Sequence, residues 1–326
     1  GILRRDPTAS IAALNDRTML TEDQAAIVRT DGACVAAAAA GDVKTLRVLC
    51  IAGAKLSDAV VRAAIQTNCA HVLRVVLQYA ENVPLGALVE AADFPETFEV
   101  YAGYLSEYGE LEKAAQDRKQ GLTCVHVAVL HNRPDVIAVA AKFQELRAIV
   151  DAKTTLDMQL QSSKQTALHQ ACRYCHYDAA AALLEFMKAS PHVVDVAGRA
   201  PIHVAAALGF ASFVDLLLRF GASPTAKEKQ LGRTPLELCA LGAKAQKKST
   251  TMGNQHGREH ADYDACVRLI QAPPAVTRRR PTAPSLKRLQ SKAQSGLCHC
   301  KCGPPIMDDI PPLVFCGGGG GLADGS

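Results

Sequence analysis

A chain of 326 residues would ordinarily make about two globular domains, but here the 48% hydrophobic content includes only 5% aromatic residues and no tryptophan. That balance excludes a large aromatic-rich centre and suits thin layers of Ala, Leu and Val. The net charge is +4 and the twelve cysteines are irregularly spaced. They make no secreted disulfide framework, and no apolar run reaches the ~18 residues of a membrane span.

Residues 1–30 read as an N-terminal extension; the start Gly1-Ile-Leu-Arg-Arg has neither an initiator Met nor a signal-peptide pattern, which suggests a truncated N-terminus. An alanine run, Cys34 to Ala40, is the first expected helix (33–40). Gly41 to Ala54 follows as a second (43–52), opening on a turn glycine and closing on Gly53-Ala54. Aligning Asn68 and Pro95 to that turn glycine places unit starts near Gly32, Ala59 and Gly86, 27 residues apart. Such short units leave little chain for the connections between them.

A fuller phrase then appears. It reads Thr123-Cys-Val-His-Val-Ala128, Thr166-Ala-Leu-His-Gln-Ala171, Ala200-Pro-Ile-His-Val-Ala205 and Thr234-Pro-Leu-Glu-Leu-Cys239. The first interval is 43 residues and the next two are 34. Helices are expected at 166–173, 179–188, 201–208, 211–219, 235–242 and 262–271, with the polar stretch Lys244–Glu259 as a loop. Thr166 and Thr234 suit an N-cap, and Pro201 and Pro235 suit the first helical position, where a missing N–H costs nothing. Gly209-Phe-Ala-Ser-Phe-Val-Asp-Leu-Leu-Leu-Arg-Phe-Gly-Ala222 has an apolar stripe at helical spacing between two glycines.

Self-similarity at this period is the mark of a stacked solenoid. Over residues 164–240 the phrases resemble the ankyrin repeat, with its TPLH-x-A and G-x-x-x-x-V-x-x-LL-x-x-GA signatures. The resemblance implies an all-α solenoid of about seven units, each a pair of antiparallel helices, over 31–271. It also implies that the phrase histidines His126, His169 and His203 hydrogen-bond to backbone. Hairpin fingers should join consecutive units.

Residues 272–326 hold seven basic residues against three acids, a net of +4, so the repeat body carries 29 of each sign. This Pro- and Gly-rich tail cannot bury enough apolar surface to fold alone. Its basic contacts are Arg278, Arg279, Arg280, Lys287 and Arg288. Arg278-x-x-Pro281-x-x-Pro284 fits the form of a polyproline ligand, and Pro281-Thr-Ala-Pro284 that of a late-domain motif; both also suit a solvated spacer. Cys298, Cys300 and Cys302, with Cys316 as a fourth thiolate, could bind zinc, but their spacing is tighter than the usual knuckle and no metal is assigned. Cys172 and Cys175, between His169 and His176, fall on core and turn positions of the repeat. Cys34, Cys124, Cys239 and Cys266 read as small core residues in a reducing compartment.

No Ser-His-Asp set, HExxH or phosphate loop is present, so no catalytic residue or cofactor is assigned. The expected function is a non-enzymatic interaction scaffold, cytoplasmic or cytoskeleton-associated, a monomer within a complex. The expected partner is a protein with an acidic surface. In the resemblance, its site combines finger residues Lys119, Lys164, Arg199 and Arg233 with first-helix positions Leu130, His131, Arg173, Tyr174, Leu208 and Leu241. The alternative is a structural subunit of a large cytoskeletal or ribonucleoprotein assembly, its basic tail threaded along acidic neighbours. Nucleic acid would be met only through that tail.

Overall fold

The computed structural model describes residues 31–80, 82–116, 122–154, 164–248 and 261–278. Unit one pairs α1 (Asp31–Ala40) with α2 (Val43–Ile51), and unit two pairs α3 (Asp58–Gln66) with α4 (Ala70–Tyr79). In unit three α5 (Ala87–Glu90) runs through a 3-10 turn into α6 (Pro95–Glu107), and a short α7 (Leu111–Gln116) follows. Unit four has α8 (Cys124–Leu130), α9 (Pro134–Ala140) and a short α10 (Gln144–Ala148). Unit five pairs α11 (Ala167–Tyr174) with α12 (Tyr177–Ala182), which continues as a π turn over Leu183–Met187. Units six and seven pair α13 (Pro201–Leu208) with α14 (Ala211–Arg219) and α15 (Pro235–Lys248) with α16 (Tyr263–Gln271).

Each first helix packs on the first helices of its neighbours, and each second helix on the neighbouring second helices. The seven units therefore form one stack, and its core runs without a break from Ala33 to Ile270. An isolated antiparallel bridge joins Lys153 to Thr166. Small residues make the close stacking possible. Ala179, Ala180, Ala181 and Ala182 are all fully buried, as are Ala205 and Ala206. Phe213 fills the wider gap, edge-on to Tyr177 at 5.5 Å between ring centres, and a fully buried side chain of this size contributes about 1.5–3 kcal/mol.

The turn between paired helices uses one backbone conformation. Gly41, Asn68, Asn132, Cys175 and Gly209 stand at the tenth position of their units, and all five have positive φ, from 49° to 73°. Glycine and asparagine tolerate this left-handed region, which explains why Asn substitutes for Gly. Cys175 adopts it as well, at φ 61°. Unit three departs from the rule: its tenth position is Pro95, whose ring holds φ negative and which opens α6.

One expectation needs correction. The loop expected from Lys244 begins later, because α15 continues to Lys248; Ala243-Lys-Ala-Gln-Lys-Lys248 is a run of good helix formers. The rest of that stretch, 249–260, lies outside the described residues. The 43-residue unit is longer than its relatives because it carries α10 and then a long finger. The base of that finger is closed by the Thr154 N–H donating to the Gln165 carbonyl at 2.9 Å.

Candidate functional site

The fingers of units six and seven are built alike. In the first, the Asp195 N–H donates to the Arg199 carbonyl at 2.9 Å and the Gly198 N–H returns to the Asp195 carbonyl at 3.0 Å. In the second, Glu228 N–H bonds the Arg233 carbonyl at 3.0 Å and Gly232 N–H bonds the Glu228 carbonyl at 3.1 Å. The two fingers touch through Lys229 N–H and the Ala197 carbonyl at 3.2 Å. A Cβ on Gly198 would fall 2.4 Å from the Lys229 side chain, so this turn admits only glycine.

Histidines tie each finger to the preceding unit. The ring Nδ1 of His169 accepts from the Thr166 N–H (3.4 Å) and its hydroxyl (2.8 Å), while Nε2–H donates to the Arg199 carbonyl at 2.8 Å. His126 repeats this arrangement with Thr123 and the Gln165 carbonyl, at 3.3 Å to the carbonyl. His203 accepts from the Ala200 N–H at 3.1 Å and donates to the Ala226 carbonyl at 3.0 Å. Every ring nitrogen of the three is occupied by a structural bond, so none is placed to act as an acid or base. Burial pushes the His169 imidazole down to about 4 and lowers His203 as well. In unit seven the histidine is replaced by Glu237. It closes a capping box with Thr234 (2.8 and 3.4 Å) and bonds no neighbouring unit among the described residues.

Fingers and first helices together border a cleft of ≈ 580 Å³ across units five to seven. Val204, Ala207, Leu208 and Leu238 supply apolar lining, and Arg173, Arg199 and Arg233 supply positive charge. Their places in the sequence are regular: the residue before each phrase, its fifth position, and its eighth and ninth. Four of the expected site residues thus meet in one cleft. Tyr174 and Leu241 lie outside its lining but are exposed, at 46% and 41%, on α11 and α15. Lys164 adjoins the lining residue Gln165, and Lys119 lies outside the described residues.

Arg199 is less available than a finger arginine was expected to be. Its Nε and Nη2 donate to one oxygen of Asp195 at 3.0 and 2.8 Å, and its backbone N–H to the other at 2.9 Å. The Asp195 side chain is fully buried, so Arg199 fastens its own finger. The finger acids Asp195 and Glu228 are both buried, at 4% and 6% exposure.

His131 lies elsewhere, on a second cleft of ≈ 760 Å³ over units two to four, with Arg62, Glu90, Asp93 and Phe94. It pairs with Asp93, while Arg62 lies 3.5 Å from Glu90. Leu130 is half-buried and lines neither cleft.

Cys172 is fully buried beside His169, and His176 Nδ1 bonds the Val129 carbonyl at 2.7 Å. These residues serve the stack, and no group of three metal-ligating side chains occurs among the described residues. Cys298, Cys300, Cys302 and Cys316 lie outside them, as do Arg279, Arg280, Lys287 and Arg288. Before that point the chain returns to unit six. The N–H groups of Thr277 and Arg278 both donate to the Arg219 carbonyl at 3.0 Å, satisfying the C-terminus of α14.

No helix among the described residues is long and apolar enough to cross a membrane. A family model described as ankyrin repeats (many copies) matches residues 168–218, which run from α11 to α14. No curated protein matches the chain. Among solved structures it is similar to the ankyrin repeat domain of human ASB11, at 18% identity over 74% of this chain and 99% of that one, with a TM-score of 0.47. The ankyrin repeat protein EF0377 is similar at 15% identity, 74% and 98% coverage and a TM-score of 0.39. A chain from the Bdellovibrio bacteriovorus endopeptidase Bd0816 in complex with immunity protein Bd3460 gives 18%, 68% and 98%, and 0.38. The family match falls on the units whose phrases, histidine bridges and fingers carry the pattern most fully, and over residues 168–218 the chain carries ankyrin repeats.

Proposed function

We propose that this protein is a non-enzymatic interaction scaffold that holds a protein partner on the face shared by its fingers and first helices. The observation that carries the reading is the cleft across units five to seven, where arginines from three successive units flank an apolar floor. Arginine beside apolar side chains is the usual make-up of an energetic centre in protein interfaces. The exposed Tyr174 and Leu241 extend this surface, and a partner with an acidic surface fits it. The scaffold would act as a monomer within a complex. Buried cysteine thiols such as Cys124 and Cys172 suit a reducing compartment such as the cytoplasm.

A second reading, a structural subunit whose basic tail follows acidic neighbours, draws on one observation. The start of the tail is fastened to the Arg219 carbonyl, so that Arg278 leaves the stack from a fixed point. Photocrosslinking from the cleft and from the tail separates the two readings.

A further inference from the structure

Units six and seven close their fingers with the same backbone bonds but not with the same ion pair. In unit six the finger Asp195-Val-Ala-Gly-Arg199 locks carboxylate to guanidinium. The equivalent finger of unit seven, Glu228-Lys-Gln-Leu-Gly-Arg233, is one residue longer. Here no ion pair forms, and neither the Glu228 carboxylate nor the Arg233 guanidinium has a hydrogen-bond partner among the described residues. Glu228 is nonetheless 94% removed from solvent and borders the cleft, as do Arg233 and Arg173. Arg173 likewise has no carboxylate partner among the described residues. Neither Glu228 carboxylate oxygen is sealed from solvent without a partner, so a ligand in the cleft can reach it. The extra finger residue keeps the lock open.

We propose that the open lock of unit seven is completed by a partner, and that the cleft takes a peptide segment carrying carboxylate side chains beside apolar ones. Arg233 and Arg173 receive the carboxylates, Glu228 accepts from a peptide N–H, and Val204, Leu208 and Leu238 receive the apolar side chains. The preference for acid follows from the charges that line the cleft. Arg199 is neutralised by Asp195, and Arg233 and Arg173, unpaired among the described residues, outweigh Glu228. The inference rests on the proposed protein-binding role of the same face and specifies the chemistry of what binds there.

Three fluorescein-labelled octapeptides test it by fluorescence anisotropy with the full chain: (Leu-Glu)4, (Leu-Gln)4 and (Leu-Lys)4. We expect binding of (Leu-Glu)4 that weakens steeply with salt, and at least tenfold weaker binding of the other two. Arg233→Gln should weaken (Leu-Glu)4 about tenfold. Deleting Gln230 together with Glu228→Asp resets the finger to the length and acid of unit six. That variant should close the lock and lose the peptide to the same degree while keeping the parent's circular dichroism. Equal binding of all three peptides, no binding of any, or undiminished binding by the closed-lock variant overturns the inference. Each of these leaves the wider protein-binding role standing, whereas photocrosslinks that avoid this face remove that role itself.

Discussion

Acidification should loosen this stack between units five and six before its carboxylates titrate. His169 is fully buried and its Nδ1 accepts from Thr166, so the ring fits its place only when neutral. Its pKa stands at about 4 against an ordinary 6.5. Below 6.5 the unfolded chain therefore binds a proton that the folded chain refuses, and stability falls as pH drops, until both states are protonated below about 4. At ~1.4 kcal/mol per pKa unit the full loss is about 3 kcal/mol, of which about 1 kcal/mol is lost between pH 7 and pH 5.5. His203, also lowered by burial, adds to it with the same sign. Urea unfolding followed by far-UV circular dichroism reads the effect. With m near ~2 kcal/mol/M, the midpoint should drop by roughly half a molar from pH 7 to pH 5.5. His169→Gln keeps a donor and an acceptor but cannot titrate; it should start from a lower midpoint at pH 7 and lose much less on acidification. An equal pH-dependent drop in parent and variant would refute the assignment of the effect to this ring.

Gly242→Ala should destabilise the chain by about 1–3 kcal/mol in thermal unfolding, although alanine is the better helix former. The reason is that its Cβ would lie 2.4 Å from the Ala207 carbonyl oxygen and 2.6 Å from the Tyr263 ring, which together close unit seven onto unit six. Cys172 and Cys175 should separate under native maleimide labelling read by peptide mass spectrometry. Burial pushes the Cys172 thiol up and seals it, whereas Cys175 is half-buried in a turn, so Cys175 should react at least ~tenfold faster.

The phrase positions made the stack legible because each encodes a local requirement. The tenth-position turn is the clearest case. It required a left-handed residue and tolerated Gly, Asn or Cys, so reading Asn68 as a turn glycine put a unit start near Ala59, beside Asp58 where α3 begins. The short helices α7 and α10 carry no phrase, because they lie outside the pair that each unit repeats. Their only sequence signal was the apolar spacing Leu111, Ala114, Ala115 and the lone Leu146, all buried. The cleft was half legible. Position in the unit picked out Arg173, Arg199, Leu208 and Arg233, but not Val204 and Leu238, whose fifth-position side chains look like core in sequence. His131 was placed on the same face but belongs to a separate cleft, formed over the short-fingered units. The difference between the closed and open finger locks was present as one residue of finger length. It had no meaning until Asp195 was seen buried under Arg199.

The central claim is that the partner sits on the finger and first-helix face of units five to seven. A photoreactive benzoylphenylalanine introduced singly at Leu208, at Leu231, at Arg74 on the second-helix side and at Ser291 in the tail tests this in cells. Leu231 borders the cleft at 63% exposure and Leu208 lines it, while Arg74 is exposed on α4. One discrete protein adduct from positions 208 and 231, absent from 74 and 291, is the result the account predicts. Adducts from 291 or 74 with none from 208 and 231 would contradict it.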